Sequence, residues 1–239
     1  VMGGWGTRGK SGTERLKAAM FHGLGYETLV KTTGCEAMFI HALPGLPARE
    51  IFLYRPYDKA SVWEQRQTLA LAHRLSVRVF LWECMALHPD LVGLLQGQWM
   101  RDDYSTITNA YPDHEDVQGP TGLDVATTIS EFVPTRGRLF TSEEQMLPLL
   151  QEQARTRGTQ TKVVRARDAE LIADELLERF GYAEHPQNIA LVAALARSFG
   201  IPDTVAIAEM ADNVVPDLGA LKTFPTVVWR GRGLSFTNG

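Results

Sequence analysis

The sequence predicts an α/β fold, a mostly parallel sheet flanked by helices. Three observations carry that expectation. Short apolar runs rich in β-forming residues alternate with longer segments of helical periodicity along the chain. Residues 77–82 (VRVFLW) are almost continuously apolar or β-branched, the pattern of a strand buried on both faces. No internal repeat or low-complexity stretch competes with the alternation.

Taken in order, helical periodicity runs over residues 12–25, with Gly25 as a stop. Residues 50–54 (EIFLY) read as a short strand, and 61–75 as a helix capped by Ser61. Strand 77–82 follows, then a shorter one at 105–109. A helix over 123–132 precedes a strand at 138–141. Ser142, Glu143 and Glu144 suit the start of a helix reaching residue 157, because hydroxyl caps and early carboxylates both favour a helix N-terminus. A strand at 161–165 and helices over 169–180, 186–199 and 203–213 complete the series. The longest polar connection, 109–122, has the length at which loops in such folds become functional.

Composition narrows the function classes. The chain has 239 residues, 44% of them hydrophobic and 22% charged, which suits a packed globular core. A net charge of -4 argues against a nucleic-acid partner, which selects for basic excess. No apolar run reaches the roughly 18 residues that a membrane helix needs. The two cysteines, Cys35 and Cys84, build no disulfide framework and no CxxC, so a reducing, cytoplasmic setting is expected. The chain opens on Val1-Met2-Gly3-Gly4 directly before its best motif, and residues 231–239 read as a turn-rich stretch. The expectation is a segment of a longer protein, with most of the strand that feeds that motif missing.

The motif is Gly4-Trp5-Gly6-Thr7-Arg8-Gly9-Lys10-Ser11, which fits GxxxxGK[ST]. Glycines let backbone N–H groups turn inward around phosphates, Lys10 brings a positive charge to the β- and γ-phosphates, and Ser11 offers a hydroxyl to magnesium. The helix that follows adds its positive N-terminal end. The expected ligand is a nucleoside triphosphate with magnesium. Glu83 ends strand 77–82, where an acidic residue can hold the metal; a glutamate merely facing solvent would read the same. Asn109 to Asp116 (NAYPDHED) follows the next strand, and His114 among carboxylates could ligate a divalent ion. Lys31-Thr32-Thr33-Gly34 could line the γ-phosphate or be a polar turn. Arg49, Arg55, Arg136 and Arg138 are candidates to meet carboxylates or plain surface charges.

Together these motifs resemble the Mur ligase superfamily, and within it the ligase subunit of poly-γ-glutamate synthase, the capsule biosynthesis ligase. The resemblance rests on Arg8 within the phosphate loop, on Lys31-Thr32-Thr33-Gly34, on Glu83, and on Thr108-Asn109 with the run from Asp113 to Thr121 (DHEDVQGPT). It spans about Gly4 to Thr121, and a weaker match at His185-Pro186-Gln187-Asn188 resembles the helix start whose Asn approaches adenine. The resemblance implies a P-loop NTPase-like central domain over 1–215 and the start of a truncated C-terminal domain at 216–239. It implies an ATP-dependent amide ligase that forms an acyl phosphate, with γ-glutamyl ligation as the reaction. Lys10, Glu83 and His114 would be catalytic. Gly6, Thr7, Arg8, Gly9, Lys10, Ser11, Asn109 and Asn188 would bind ATP. Ser11, Thr33, Glu83 and His114 would hold two magnesium ions. Implied partners are an amino-acid or γ-glutamyl substrate, membrane-bound partner subunits that keep the protein peripheral to the inner face of the membrane, and a second copy of the chain. The modified lysine of many Mur ligases has no counterpart in residues 122–132, which contain no lysine. Two other readings stay open on the residues alone: a small-molecule kinase with Arg155, Arg157, Arg165 and Arg167 on a lid, and a nucleotide-hydrolysing module of an export or assembly complex.

Overall fold

A computed structural model describes residues 1–34 and 36–238; Cys35 and Gly239 lie outside the described residues. The strands are β1 Met2–Trp5, β2 Thr28–Thr32, β3 Met38–Ala42, β4 Arg49–Phe52, β5 Val79–Glu83, β6 Tyr104–Ile107, β7 Arg138–Thr141, β8 Gln160–Val163, β9 Lys222–Trp229 and β10 Arg232–Asn238. The helices are α1 Lys10–Gly23, α2 Trp63–Leu75, α3 Pro89–Leu94, α4 Glu115–Gln118, α5 Gly122–Ser130, α6 Leu147–Thr156, α7 Ala166–Glu170, α8 Asp174–Leu177, α9 Pro186–Arg197 and α10 Asp203–Asn213.

Eight strands form one sheet in the order β4-β3-β2-β5-β1-β6-β7-β8. From β2 to β8 every neighbouring pair is parallel. The β2–β3 and β3–β4 pairs are antiparallel. The expected α/β class is therefore present, with an antiparallel margin that the sequence pattern left unread. Two hydrophobic layers cover the sheet. On one face α1, α9 and α10 bury Leu16, Met20, Ile189, Leu191, Ile207 and Met210. On the other, α2, α3, α5 and α6 bury Ala72, Val92, Val125, Ile129 and Leu150. Residues 188–196 of α9 are all buried, as expected of a helix that is apolar on every side. Among the described residues strands β9 and β10 pair only with each other. Among the described residues no helix is long and apolar enough to cross a membrane.

Chain order and strand order disagree at β1, and that disagreement places the site. The chain leaves β1 through α1 toward β2, and later crosses from β5 over β1 to β6. In open parallel sheets the crevice at such a switch point, beyond the carboxyl ends of the strands, is where ligands bind.

Several expectations need correction. The strand feeding the phosphate loop is present: β1 takes in Gly4 and Trp5 of the motif and pairs with both β5 and β6. The helix expected from Ser142 begins at Leu147, with Pro148 in its first turn. Residues 142–146 instead brace the loop after β6. Ser142 Oγ donates to Thr108 O (2.8 Å), and the buried Glu143 carboxylate accepts from the Ala110 and Met146 N–H groups (2.7 and 2.8 Å). The helix expected over 169–180 is two short ones, α7 and α8, and the second restarts on Asp174-Glu175, carboxylates suited to a first helical turn.

Candidate active site

The phosphate loop runs from the end of β1 into α1. Gly9 sits at the helix N-cap with φ 82°, a left-handed conformation that favours glycine. A Cβ there would also lie 2.7 Å from Asn188 Oδ1. Among the described residues no side chain caps α1, and its first turn contains no acidic residue. Its leading N–H groups are thus left for an anion, which the helix dipole also favours. The loop is braced from the β6 side. Thr7 N donates to Asn109 O (3.1 Å) and Arg8 N to Asn109 Oδ1 (2.8 Å), while Asn109 Nδ2 and Thr108 Oγ1 donate to Arg8 O (3.1 and 2.6 Å). Arg8 Nη1 reaches Asp113 Oδ2 at 2.8 Å. Desolvation alone would raise the Asp113 carboxyl, but Arg8 and neighbouring His114 outweigh it and hold it below the usual carboxylate range.

Glu83, the last residue of β5, is fully buried. Its carboxylate accepts from Ser11 Oγ (2.8 Å), from Thr33 N (2.6 Å) and from the Thr33 hydroxyl. Gln65 Nε2, on α2, fixes the Glu83 carbonyl at 2.7 Å. A cavity of about 350 Å³ opens over this cluster, lined by Lys10, Thr33, Arg55, Glu83, Asp113 and His114 together with apolar Trp5, Met85, Leu87 and Ile129. The ends of β1, β2 and β5 and the loop after β6 therefore contribute to one crevice.

Each predicted site residue has a definite place. Gly6, Thr7, Lys10, Thr33, Glu83 and His114 line the cavity, and Ser11 reaches it through Glu83. Arg8 and Gly9 shape the loop, and Asn109 is spent on the loop backbone. Asn188, at the start of α9, is beside Gly9 and donates to Glu184 Oε1 (2.9 Å). The exposed His114 occupies the left-handed N-cap of α4 (φ 48°). Among the described residues no three His, Cys, Asp or Glu side chains gather as a metal site. Ser11, Thr33 and Glu83 are oxygen donors of the kind that a magnesium ion takes, and the chemistry of that set fits. None of the four arginines offered for a kinase lid lines this cavity: Arg155 pairs with Glu152 on α6, Arg157 with Glu131, and Arg165 and Arg167 sit at the start of α7 beyond β8.

Sequence reasoning missed the wall behind Glu83. Lys31 is fully buried, with Nζ 3.3 Å from Glu64 Oε2, and Arg55 makes a two-point contact with the same Glu64 carboxylate (2.9 and 3.0 Å). Burial pushes the Lys31 ammonium down to about 8, against the pull of Glu64 and Glu83. The available signal was Lys31 itself, a lysine inside a strand whose other four residues are buried too.

No family model matches the chain. It is 34% identical over 217 residues to the capsule biosynthesis protein CapB of Bacillus anthracis, across 91% of this chain and 45% of that protein. The chain is homologous to the CapB proteins. The PGA synthase CapB of Bacillus subtilis is 30% identical over 222 residues, 93% of this chain and 55% of its own length. The chain thus spans about half the length of the CapB relatives it matches. Among solved structures, Escherichia coli FolC in complex with ADP superposes with a TM-score of 0.64 at 16% identity, over 90% of this chain and 57% of that one. The Yersinia pestis folylpolyglutamate synthase/dihydrofolate synthase with AMPPNP and a Mn ion gives 0.63 at 14% identity, over 91% and 58%. These likenesses establish the fold as the folylpolyglutamate synthase and Mur ligase type, and with the CapB homology they bear out the resemblance drawn from the motifs.

Proposed function

We propose that this chain carries the nucleotide site of an ATP-dependent ligase that joins a carboxylate to an amine, with a γ-glutamyl bond as its product. What supports the reading is one observation above the others. Lys10, Ser11, Thr33 and Glu83 converge on a single cavity at the carboxyl ends of the strands, in a chain homologous to a PGA synthase.

The chemistry follows from the groups present. A substrate carboxylate oxygen attacks the γ-phosphorus of ATP, the bond to the bridging oxygen breaks, and ADP leaves. The acyl phosphate so formed is attacked at its acyl carbon by an amine, which loses a proton as phosphate departs. Such a reaction asks for positioning and charge neutralisation rather than covalent groups from the protein. Lys10 and the uncapped N-terminus of α1 neutralise the phosphoryl oxygens. Ser11, Thr33 and Glu83 would hold magnesium, which when bound offsets the remaining triphosphate charge. Asn109 and Thr108 keep the loop in shape through Arg8. Asn188 beside Gly9 has the place to meet the nucleoside. The apolar wall of Trp5, Leu87 and Ile129 excludes water that would hydrolyse the acyl phosphate. We assign no step to His114 beyond lining the cavity. Residues 1–215 are read as the nucleotide-binding domain and 216–239 as part of another, a division supported by the self-paired β9–β10 hairpin.

The test is phosphate release from magnesium-ATP, with and without L- or D-glutamate and a γ-glutamyl acceptor. Stimulation by the amino acid is expected. Release independent of every amino acid tested would replace the ligase with a nucleotide-hydrolysing module.

A further inference from the structure

Of the four arginines that the sequence offers as carboxylate partners, one lines the cavity. Arg49 lies on the edge strand β4, and Arg136 and Arg138 sit where β7 begins, at the far end of the sheet from the phosphate loop. Arg55 follows β4 and precedes Pro56, with an extended backbone (φ -109°, ψ 113°) as a residue before proline prefers. Its side chain is 18% exposed, and the cavity is where it emerges.

Its setting differs from that of a surface arginine. Nε and Nη2 bind the two oxygens of Glu64, a fork that fixes the guanidinium plane. Glu64 is itself fully engaged, by Lys31 Nζ at 3.3 Å and by the Ser61 N–H at 3.0 Å. Two buried or half-buried cations therefore share one carboxylate. Glu83, whose charge also acts on Lys31, accepts hydrogen bonds from Ser11 and Thr33. Lys31 is fully buried and reaches no ligand. Arg55 is the cation of this wall that lines the cavity, and the fork to Glu64 takes up its Nε and Nη2 but not its Nη1. A planar, rigidly held guanidinium with an open donor is the group suited to a second carboxylate.

We propose that Arg55 is a specificity-determining residue that binds a non-reacting carboxylate of the acyl donor, so that the site selects dicarboxylic donors over monocarboxylic ones. The inference rests on the ligase reading, since it presumes a carboxylate reacting at the phosphate end of the same cavity. Glu64 and Lys31 act through Arg55 as positioning residues. The selectivity comes from a charged group that loses its partner when the donor lacks the second carboxylate.

Two measurements keep this inference separate from the ligase reading. The first is binding of glutamate, and of 4-aminobutyrate as its counterpart with one carboxylate fewer, by calorimetry in the presence of a non-hydrolysable ATP analogue and magnesium. The second is acyl phosphate trapped by hydroxylamine as the hydroxamate. Arg55→Ala is expected to weaken glutamate binding and its kcat/KM about 10- to 100-fold, the scale of one charged hydrogen-bonded contact. It should leave 4-aminobutyrate and the KM for ATP unchanged, and Arg55→Lys should recover part of the loss. Equal loss for both donors, an equal rise in the KM for ATP, or wild-type and Arg55→Ala binding glutamate alike would overturn it. Selective glutamate binding without any hydroxamate would sink the ligase reading and leave the carboxylate site standing. A melting temperature for each variant separates loss of binding from loss of fold.

Discussion

Two buried charge clusters flank the central strands, and they teach different things. Beneath the phosphate loop, Glu14 and Lys17 on α1 form an ion pair with no exposure at either side chain. Lys17 also donates to Gly3 O and Thr106 Oγ1, both at 3.2 Å, which ties α1 to β1 and β6. Burial draws the Glu14 carboxyl upward, and Lys17 opposes that pull. Beside the loop, Arg55, Glu64 and Lys31 form a cluster with two cations to one carboxylate, and one of the cations faces a cavity. The first cluster is closed in charge and in space and anchors the loop. The second is closed in space on one side only and turns one of its cations to the cavity. Burial does not separate the two clusters; the open face of the second does.

Breaking the sealed pair should have the largest effect on stability. Lys17→Met leaves Glu14 buried without its partner and is expected to cost about 3–5 kcal/mol in urea unfolding. Replacing both residues with apolar ones of similar volume should recover most of that loss. A single variant as stable as wild type would mean that Glu14 is held neutral rather than as an ion. Breaking the open cluster should cost less. Glu64→Gln leaves Arg55 and Lys31 without their counter-charge, and about 1–3 kcal/mol is expected. This effect has a pH signature. Desolvation would raise the Glu64 carboxyl, but Arg55 and Lys31 outweigh it and hold it below its ordinary value of 4.5. A folded value below the unfolded one gives stability that is present above the unfolded pKa and is lost as pH falls through the folded one. The gap in melting temperature between wild type and Glu64→Gln should therefore narrow below about pH 4.5; a constant gap would show that the charge of Glu64 is not what matters.

Gly9→Ala should do less to the fold and more to the ligand. A left-handed alanine costs about 1–2 kcal/mol, and its Cβ would crowd Asn188. Nucleotide affinity should fall by more than the melting temperature implies; intact affinity would argue that the loop and α9 separate when ligand binds. The smallest effect belongs to Cys84. It is fully buried, and desolvation pushes its thiol up to about 12. Thiol reagents should leave it unmodified until denaturant is added, and rapid labelling in the folded protein would show that the cavity opens further than this structure does.

The sheet and the phosphate end of the site were legible because their signals are local. Strand β5 announced itself as a continuous apolar run, β7 and α10 were read at their observed bounds, and the phosphate loop is a contiguous motif. What was missed depends on contacts distant in sequence. Strand β3 was not read, since it earns its place by pairing antiparallel with β2 and β4. Ser142 and Glu143 look like a helix start but are spent on Thr108, Ala110 and Met146, while Pro148 carried the true signal. Arg55 could not be distinguished from Arg49, Arg136 or Arg138 by sequence, because its anchoring by Glu64 and Lys31 joins three elements.

The central claim is that the carboxylate held in this cavity attacks ATP. It is tested most directly by following a donor whose carboxylate carries heavy oxygen through one round of ATP-dependent amide formation. If an acyl phosphate forms, each phosphate released carries one heavy oxygen taken from the donor. Phosphate free of label, released at the same rate, would contradict the account.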